Sequence, residues 1–155
     1  MGKPSRATDE WRSREALEEP ERRRRLVLAD DHPDVREEIR QLLDPEFDVL
    51  RAVGDGAALI EAVAELQPDA VISDIQMPRM DGIEAASRLL DGGLCEAMIV
   101  LSMYPDAHLV KTALQAGIRA YVLKLDAGEE LIPAVYAALR GEHYLSRGVR
   151  DRYHG

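Results

Sequence analysis

The sequence predicts a doubly wound α/β domain: an open sheet of five parallel strands, (βα)5, covered by helices on both faces. Three observations carry that expectation. Short apolar runs alternate with amphipathic stretches of helical period, five times between residues 26 and 141. The runs are close to continuously apolar, as strands buried on both faces of a parallel sheet must be, and such units join by right-handed crossovers. The chain is 46% hydrophobic but only 5% aromatic, which suits a core of Leu, Val, Ile and Ala between helices and a sheet.

The elements follow in order. "LVLA" (26–29) reads as the first strand, and "DVREEIRQLL" (34–43) sets Val35, Ile39, Leu42 and Leu43 on one helical stripe. "FDVLRAV" (47–53) is the second strand, and Gly54-Asp55-Gly56 then opens a helix that turns Leu59, Val63 and Leu66 inward. "AVIS" (70–73) is the third strand, followed by Met77-Pro78 as a turn, Asp81 as a helix cap and "GIEAASRLLDGG" (82–93) as a helix closed by glycines. "MIVLS" (98–102) leads to the helix "DAHLVKTALQAG" (106–117), capped by Asp106 and stopped by Gly117. "AYVL" (120–123) leads to "EELIPAVYAALRG" (129–141), with Pro133 near the first turn, where proline is tolerated.

A length of 155 residues supports one domain with a core of its own. Residues 1–25 lack a sustained apolar period, mix eight Lys/Arg with six Asp/Glu and end in the run Arg22 to Arg25, so they read as a disordered charged leader. Residues 26–146 form the domain, and 147–155 a tail or the start of a linker. The chain beyond residue 25 carries 12 Lys/Arg against 23 Asp/Glu, a net charge of −11 that repels phosphate backbones and argues against direct nucleic-acid contact. The single Cys95 cannot form an internal disulfide, and no run resembles a signal sequence or a membrane span, so a soluble cytoplasmic location is expected.

An open doubly wound sheet holds its ligand beyond the carboxyl ends of the strands. The residues there are Asp30-Asp31-His32, Gly54-Asp55, Asp74, Ser102-Met103 and Lys124. Carboxylates about 4 Å apart repel by roughly 4 kcal/mol at an effective dielectric near 20, so either their pKa values rise or a cation binds. Carboxylates plus a backbone carbonyl, with room for water and phosphate oxygens, describe a Mg2+ (or Mn2+) site better than a zinc or calcium site. Asp31 and Asp74 would be direct ligands, with Asp30 acting through water. Lys124 and Ser102 offer an ammonium and a hydroxyl to a phosphoryl group, which leaves Asp74 free as nucleophile. The chain uses 17 Arg against 3 Lys, so a lysine at this strand end points modestly the same way. His32 reads as a solvated residue at a helix start, and Cys95, His108, His143 and His154 show no ligand spacing.

These motifs resemble the receiver domain of bacterial two-component response regulators. "LVLADDHPDVRE" is similar to the family's first strand and acid pair, "VISDIQMPRMDGIEA" to its phosphoacceptor strand and loop, "IVLSMYPD" to its hydroxyl strand and "AGIRAYVLK" to its lysine strand. "EELIPAVYAALRGEHYLS" resembles the last receiver helix of the NarL/LuxR-type subfamily. The resemblance implies a flavodoxin-like (βα)5 fold and a phosphorylation-controlled signalling role. Asp74 would accept a phosphoryl group from a sensor histidine kinase or a small acyl phosphate. Asp30, Asp31, Asp74 and the backbone carbonyl of Gln76 would hold Mg2+, and Ser102 and Lys124 would bind the phosphoryl oxygens. Tyr121 would be the switch aromatic that moves inward with Ser102, changing the face of the fourth helix, fifth strand and fifth helix and allowing a homodimer there. Gln76 and Tyr104, two residues beyond Asp74 and Ser102, would tune the lifetime of the phosphoryl group.

Two departures stand out: Leu125 follows the lysine where many relatives carry proline, and Ala116-Gly117-Ile118 replaces the usual Ala-Gly-Ala. The subfamily continues through a linker into a helix-turn-helix DNA-binding domain, whereas this sequence ends in "RGVRDRYHG". It is therefore either the receiver of a longer transcriptional regulator or a stand-alone receiver. Enzymatic turnover is not expected beyond self-phosphorylation from phosphodonors and self-dephosphorylation. Two alternatives share parts of the site. A receiver-like interaction module would work through protein contacts without phosphorylation. A Mg2+-dependent aspartyl phosphohydrolase would use Asp74 and Lys124 but needs an acid where Gln76 stands.

Overall fold

The computed structural model of the chain describes residues 23–151. The leader expected over residues 1–25 lies outside the described residues up to position 22, as do residues 152–155 with His154.

Strands β1 (Arg25–Ala29), β2 (Asp48–Val53), β3 (Ala70–Asp74), β4 (Met98–Ser102), β5 (Ala120–Leu123) and β6 (Tyr144–Leu145) form one sheet in the order β2-β1-β3-β4-β5-β6. Every pairing is parallel. Helices α1 (Pro33–Leu43), α2 (Gly56–Leu66), α3 (Gly82–Asp91), α4 (Ala107–Gln115) and α5 (Ala127–Leu139) alternate with the first five strands, and α6 (Arg147–Arg150) follows β6. Two neighbouring strands lead outward in opposite senses from the β1/β3 boundary. That reversal opens a crevice at their carboxyl ends, which is where the candidate acids sit.

Strand alternation divides the core in two. Val27, Ala29, Val71, Val100 and Tyr121 face Leu59, Val63, Leu89 and Val110 of α2, α3 and α4. Leu26, Leu28, Ile72, Ile99 and Val122 face Ile39 and Leu43 of α1 and Leu131 and Val135 of α5. Both faces of β1, β3, β4 and β5 are thus buried, which explains runs too apolar to alternate. The expected caps hold: Asp81 Oδ1 accepts from the Glu84 N–H at 2.8 Å, and Asp106 Oδ1 from the His108 N–H at 2.8 Å.

Beyond shifts of one or two residues at other element ends, four differences from the sequence reading stand out. Arg25 belongs to β1, and Arg23 donates to the carbonyls of Asp44 and Phe47, so residues of the expected leader belong to the folded body. The sheet has six strands rather than five, because Tyr144–Leu145 covers the outer edge of β5. There the Ser146 N–H donates to the Tyr121 carbonyl at 3.0 Å and Ser146 Oγ accepts from the Leu123 N–H at 2.9 Å. The expected tail from 147 starts with α6, whose Val149 is 1% exposed in the same core as Tyr121. Finally, α5 begins at Ala127 after a 3-10 turn over Lys124–Asp126, two residues earlier than expected, which places Pro133 inside the helix instead of near its first turn. Pro133 is exposed, so its ring disturbs only the solvent side of α5.

Candidate functional site

The carboxyl ends of β1, β3 and β5 deliver an acid cluster with one ammonium at its centre. Lys124 Nζ lies 3.0 Å from Asp30 Oδ2 and 3.1 Å from Asp74 Oδ2. Asp30 is fully buried and Asp74 nearly so. Asp74 Oδ1 accepts from the Gln76 N–H at 3.3 Å, and Asp30 Oδ1 from the His32 N–H at 2.9 Å. Asp74 is pressed into place from behind by Gly82: a Cβ there would sit 2.1 Å from the Asp74 carbonyl oxygen, so only glycine lets α3 start this close to β3.

One ammonium serves two buried acids. Burial pushes the Asp74 carboxyl above its ordinary value; the Lys124 charge opposes this, the Asp30 charge adds to it, and bonds from Lys124 and the Gln76 N–H oppose it. Burial alone would lower the Lys124 ammonium, but its bond to Asp30, the charge and bond of Asp74 and the charge of Asp30 raise it on balance. The ion pair stabilises the lysine's charge fully, whereas Asp74 shares that benefit and still loses its water.

Asp31 and His32 complete the cluster. Ligand atoms of Asp30, Asp31, His32 and Asp74 all lie within 4.8 Å of one another, a set able to hold a metal ion. Two buried oxygens, Asp30 Oδ2 and Asp31 Oδ1, receive no directed hydrogen bond. Lys124 Nζ stands 3.0 Å from the first and His32 Nδ1 3.1 Å from the second. Carboxylate oxygens left without donors beside a third acid fit a hard divalent cation. His32, read from the sequence as merely solvated, is exposed but belongs to this cluster.

Ser102 and Tyr121 form an adjoining pair. Ser102 Oγ accepts from the Tyr104 N–H at 3.0 Å and donates to the Tyr104 carbonyl at 3.2 Å. The Tyr121 hydroxyl donates to that same carbonyl at 2.8 Å, and its ring is fully buried. Burial pushes the Tyr121 phenol up, with the Ser102 hydroxyl pulling the other way. The side chains of Gln76 and Tyr104 are exposed at the rim. Asp55 stands apart from the acids as the cap of α2, accepting from the Ala58 N–H at 2.8 Å.

The sequence reading missed Arg36, whose Nη1 donates to the Asp30 carbonyl at 2.8 Å. A signal existed: a cation in the first turn of a helix opposes the macrodipole and needs a specific partner. No helix among the described residues is long and apolar enough to cross a membrane.

The chain is similar in sequence and fold to known proteins. The transcriptional regulatory protein YxjL of Bacillus subtilis is 38% identical over 120 residues, covering 76% of this chain and 55% of that protein. The nitrate/nitrite response regulator NarL of Escherichia coli K12 is 33% identical over 126 residues, covering 80% of this chain and 58% of that protein. The chain thus spans little more than half the length of these relatives. The isolated receiver domain of RcsB from Salmonella enterica serovar Typhimurium, solved with the phosphomimetic BeF3−, superposes with a TM-score of 0.77 at 27% identity, over 85% of this chain and 99% of that one. The sequence pattern of the response regulator receiver domain matches residues 26–136, across all the strand ends that build the acid cluster. With that match and these likenesses, the chain belongs to the response regulator receiver domain family, of the kind carried by NarL-type regulators.

Proposed function

We propose that Asp74 is the phosphoacceptor of this receiver and that Asp30, Asp31, Asp74 and the Gln76 carbonyl hold Mg2+ (or Mn2+) beside it. The observation that carries the reading is the Lys124 ammonium held 3.1 Å from Asp74 in a cluster where two buried carboxylate oxygens, Asp30 Oδ2 and Asp31 Oδ1, receive no directed hydrogen bond. Bound Mg2+ would offset the charge of three acids and of the incoming phosphoryl oxygens. The Asp74 carboxylate oxygen attacks the phosphorus of a sensor kinase's phosphohistidine, the P–N bond breaks, and its electron pair stays on the imidazole nitrogen. Lys124 turns from the free carboxylate toward a phosphoryl oxygen, which keeps its charge paired throughout. Ser102, now held by the Tyr104 backbone, exchanges that partner for another phosphoryl oxygen. The loop then moves with Tyr121, because both hydroxyls bond one carbonyl. Gln76 and Tyr104 at the rim screen the attacking water and so set how long the phosphoryl group persists. The domain's own chemistry is confined to taking the group from kinase or acyl phosphate and losing it to water.

The output is a change in partner preference on the face of α4, β5 and α5. A homodimer on this face would use α4, α5 and the β6 strap, since this chain's own β6 pairs along β5. The acidic body does not touch DNA; a following helix-turn-helix domain would do so in a longer cytoplasmic regulator. Incubation with Mg2+ and acetyl phosphate, read by intact mass, is expected to add roughly 80 Da to the wild type and nothing to Asp74→Asn. No adduct on the wild type, or an equal adduct on the variant, overturns the assignment.

A further inference from the structure

We propose that Arg36 is a positioning residue for the Asp30–Asp31 acid pair, and that residue 54 is glycine to leave room for it. The inference rests on the reading of that pair as a metal site and adds the device that holds it. Arg36 Nη1 donates to the Asp30 carbonyl at 2.8 Å. That carbonyl belongs to the peptide joining Asp30 to Asp31, so holding its oxygen fixes the plane about which Asp31 would otherwise swing. The remaining groups of Asp30 are also occupied: its N–H donates to the Val53 carbonyl at 3.0 Å, Oδ1 accepts from the His32 N–H, and Oδ2 meets Lys124. Only the carbonyl bond comes from a side chain with no other assigned part in the site. A half-buried guanidinium placed in the first turn of α1, against the helix dipole, is accounted for by this bond.

Gly54 supplies a second, independent observation. It follows β2, next to the Val53 carbonyl that pairs with Asp30. A Cβ on residue 54 would lie 3.0 Å from Arg36 Nη1. Gly54 is outside the left-handed region, so its backbone does not call for glycine; the close approach of Arg36 does. Since the obstructed atom is the tip of a flexible side chain, alanine at 54 would push the guanidinium aside slightly, loosening its bond to the Asp30 carbonyl while leaving the fold in place. Hydrogen-bonded groups around metal ligands commonly matter by about ten-fold or more in affinity.

The test uses the full chain as wild type, Arg36→Ala, Gly54→Ala and the double variant. Mg2+ binding is measured by calorimetry, and exchange of the His32 amide, bonded to Asp30 Oδ1, is measured without metal. Arg36→Ala is expected to weaken Mg2+ binding about ten-fold and to speed His32 exchange by a similar factor, and Gly54→Ala to shift both in the same direction by a smaller factor of about two to three. The double variant is expected to match Arg36→Ala, because alanine at 54 has nothing left to displace. Unchanged affinity and exchange in the single variants, or a double variant losing the product of both factors, overturns the proposal. If Arg36→Ala does not fold, Gly54→Ala alone decides it. A wild type that takes up no Mg2+ would sink the metal reading, while His32 exchange still decides whether Arg36 holds the pair.

Discussion

The Tyr121 hydroxyl donates to the Tyr104 carbonyl at 2.8 Å, and the Ser102 hydroxyl shares that acceptor at 3.2 Å. The aromatic on β5 and the hydroxyl at the end of β4 are therefore tied to one loop residue. A movement of Ser102 away from that carbonyl changes the surroundings of the acceptor that also holds Tyr121.

Tyr121→Phe keeps the ring in the core and removes that bond. Tyr104 is 48% exposed, so water can reach the loop, and the expected loss is about 1 kcal/mol by chemical denaturation. Tyr121→Ala removes the buried ring as well and should cost roughly 3–5 kcal/mol. Equal losses for the two variants would mean the hydroxyl bond, not the ring, holds this part of the core.

Lys124→Ala leaves Asp30 and Asp74 facing each other without their ammonium. Acids at the 4.8 Å limit of the cluster repel by about 3.5 kcal/mol at an effective dielectric near 20. Lys124 is 17% exposed, so some of this is relieved by water, and the metal-free variant should lose about 2–3 kcal/mol yet fold. Saturating Mg2+ should stabilise the variant more than the wild type, because the ion replaces the missing charge. A thermal midpoint equal to wild type without metal contradicts this account.

The pH dependence follows from Asp74 and Lys124. Asp74 is raised above 3.8, first by burial, so between that value and its folded value the native state holds more protons than the unfolded chain. Stability from this group falls as pH rises through that window, and the deficit is complete above it. Asp74→Asn removes the deficit while Lys124 keeps Asp30, so the metal-free variant should be more stable than wild type at neutral pH. Lys124 is raised above 10.5, so its contribution is complete below 10.5 and is lost as pH climbs through the folded value. Denaturation midpoints followed upward from about pH 4 and past 10.5 test both arms. A less stable Asp74→Asn at neutral pH refutes the first.

Four of the five core strands, β1, β3, β4 and β5, were legible to within a residue or so because each is an apolar run buried on both faces, and each ends where a polar residue must meet solvent or a ligand; β2, half-buried at best, was legible only from its apolar alternation. The same register located Asp30, Asp31, Asp74, Ser102 and Lys124, since strand ends converge whatever the helices do. Arg36 and the β6–α6 strap were not legible, for a common physical reason. Arg36 reaches back six residues to a carbonyl, and Ser146 reaches 23 residues back to a backbone N–H. Neither contact leaves a periodic trace. A two-residue strand is also too short to show alternation, and Pro133 was placed from the apolar pattern rather than from the 3-10 turn that starts α5 early.

The strap offers a last expectation. Ser146 is fully buried; its Oγ accepts from the Leu123 N–H and its own N–H donates to the Tyr121 carbonyl. Ser146→Ala leaves the Leu123 N–H without an acceptor at a buried strand edge, at a cost of about 1–3 kcal/mol. The loss should be local before it is global, because the strap adds only two strand residues and one short helix to a sheet whose centre is untouched. Amide exchange at Leu123 and Ser146 is expected to quicken about ten-fold, with Val27 and Ile72 changing only as far as global stability does. Leu123 also precedes Lys124 in sequence, so the variant should blunt the response of Tyr121 to beryllofluoride while leaving Mg2+ affinity within about two-fold of wild type. Unchanged Leu123 exchange, or a Mg2+ affinity that falls with it, would show that the strap does not act on β5 in this way.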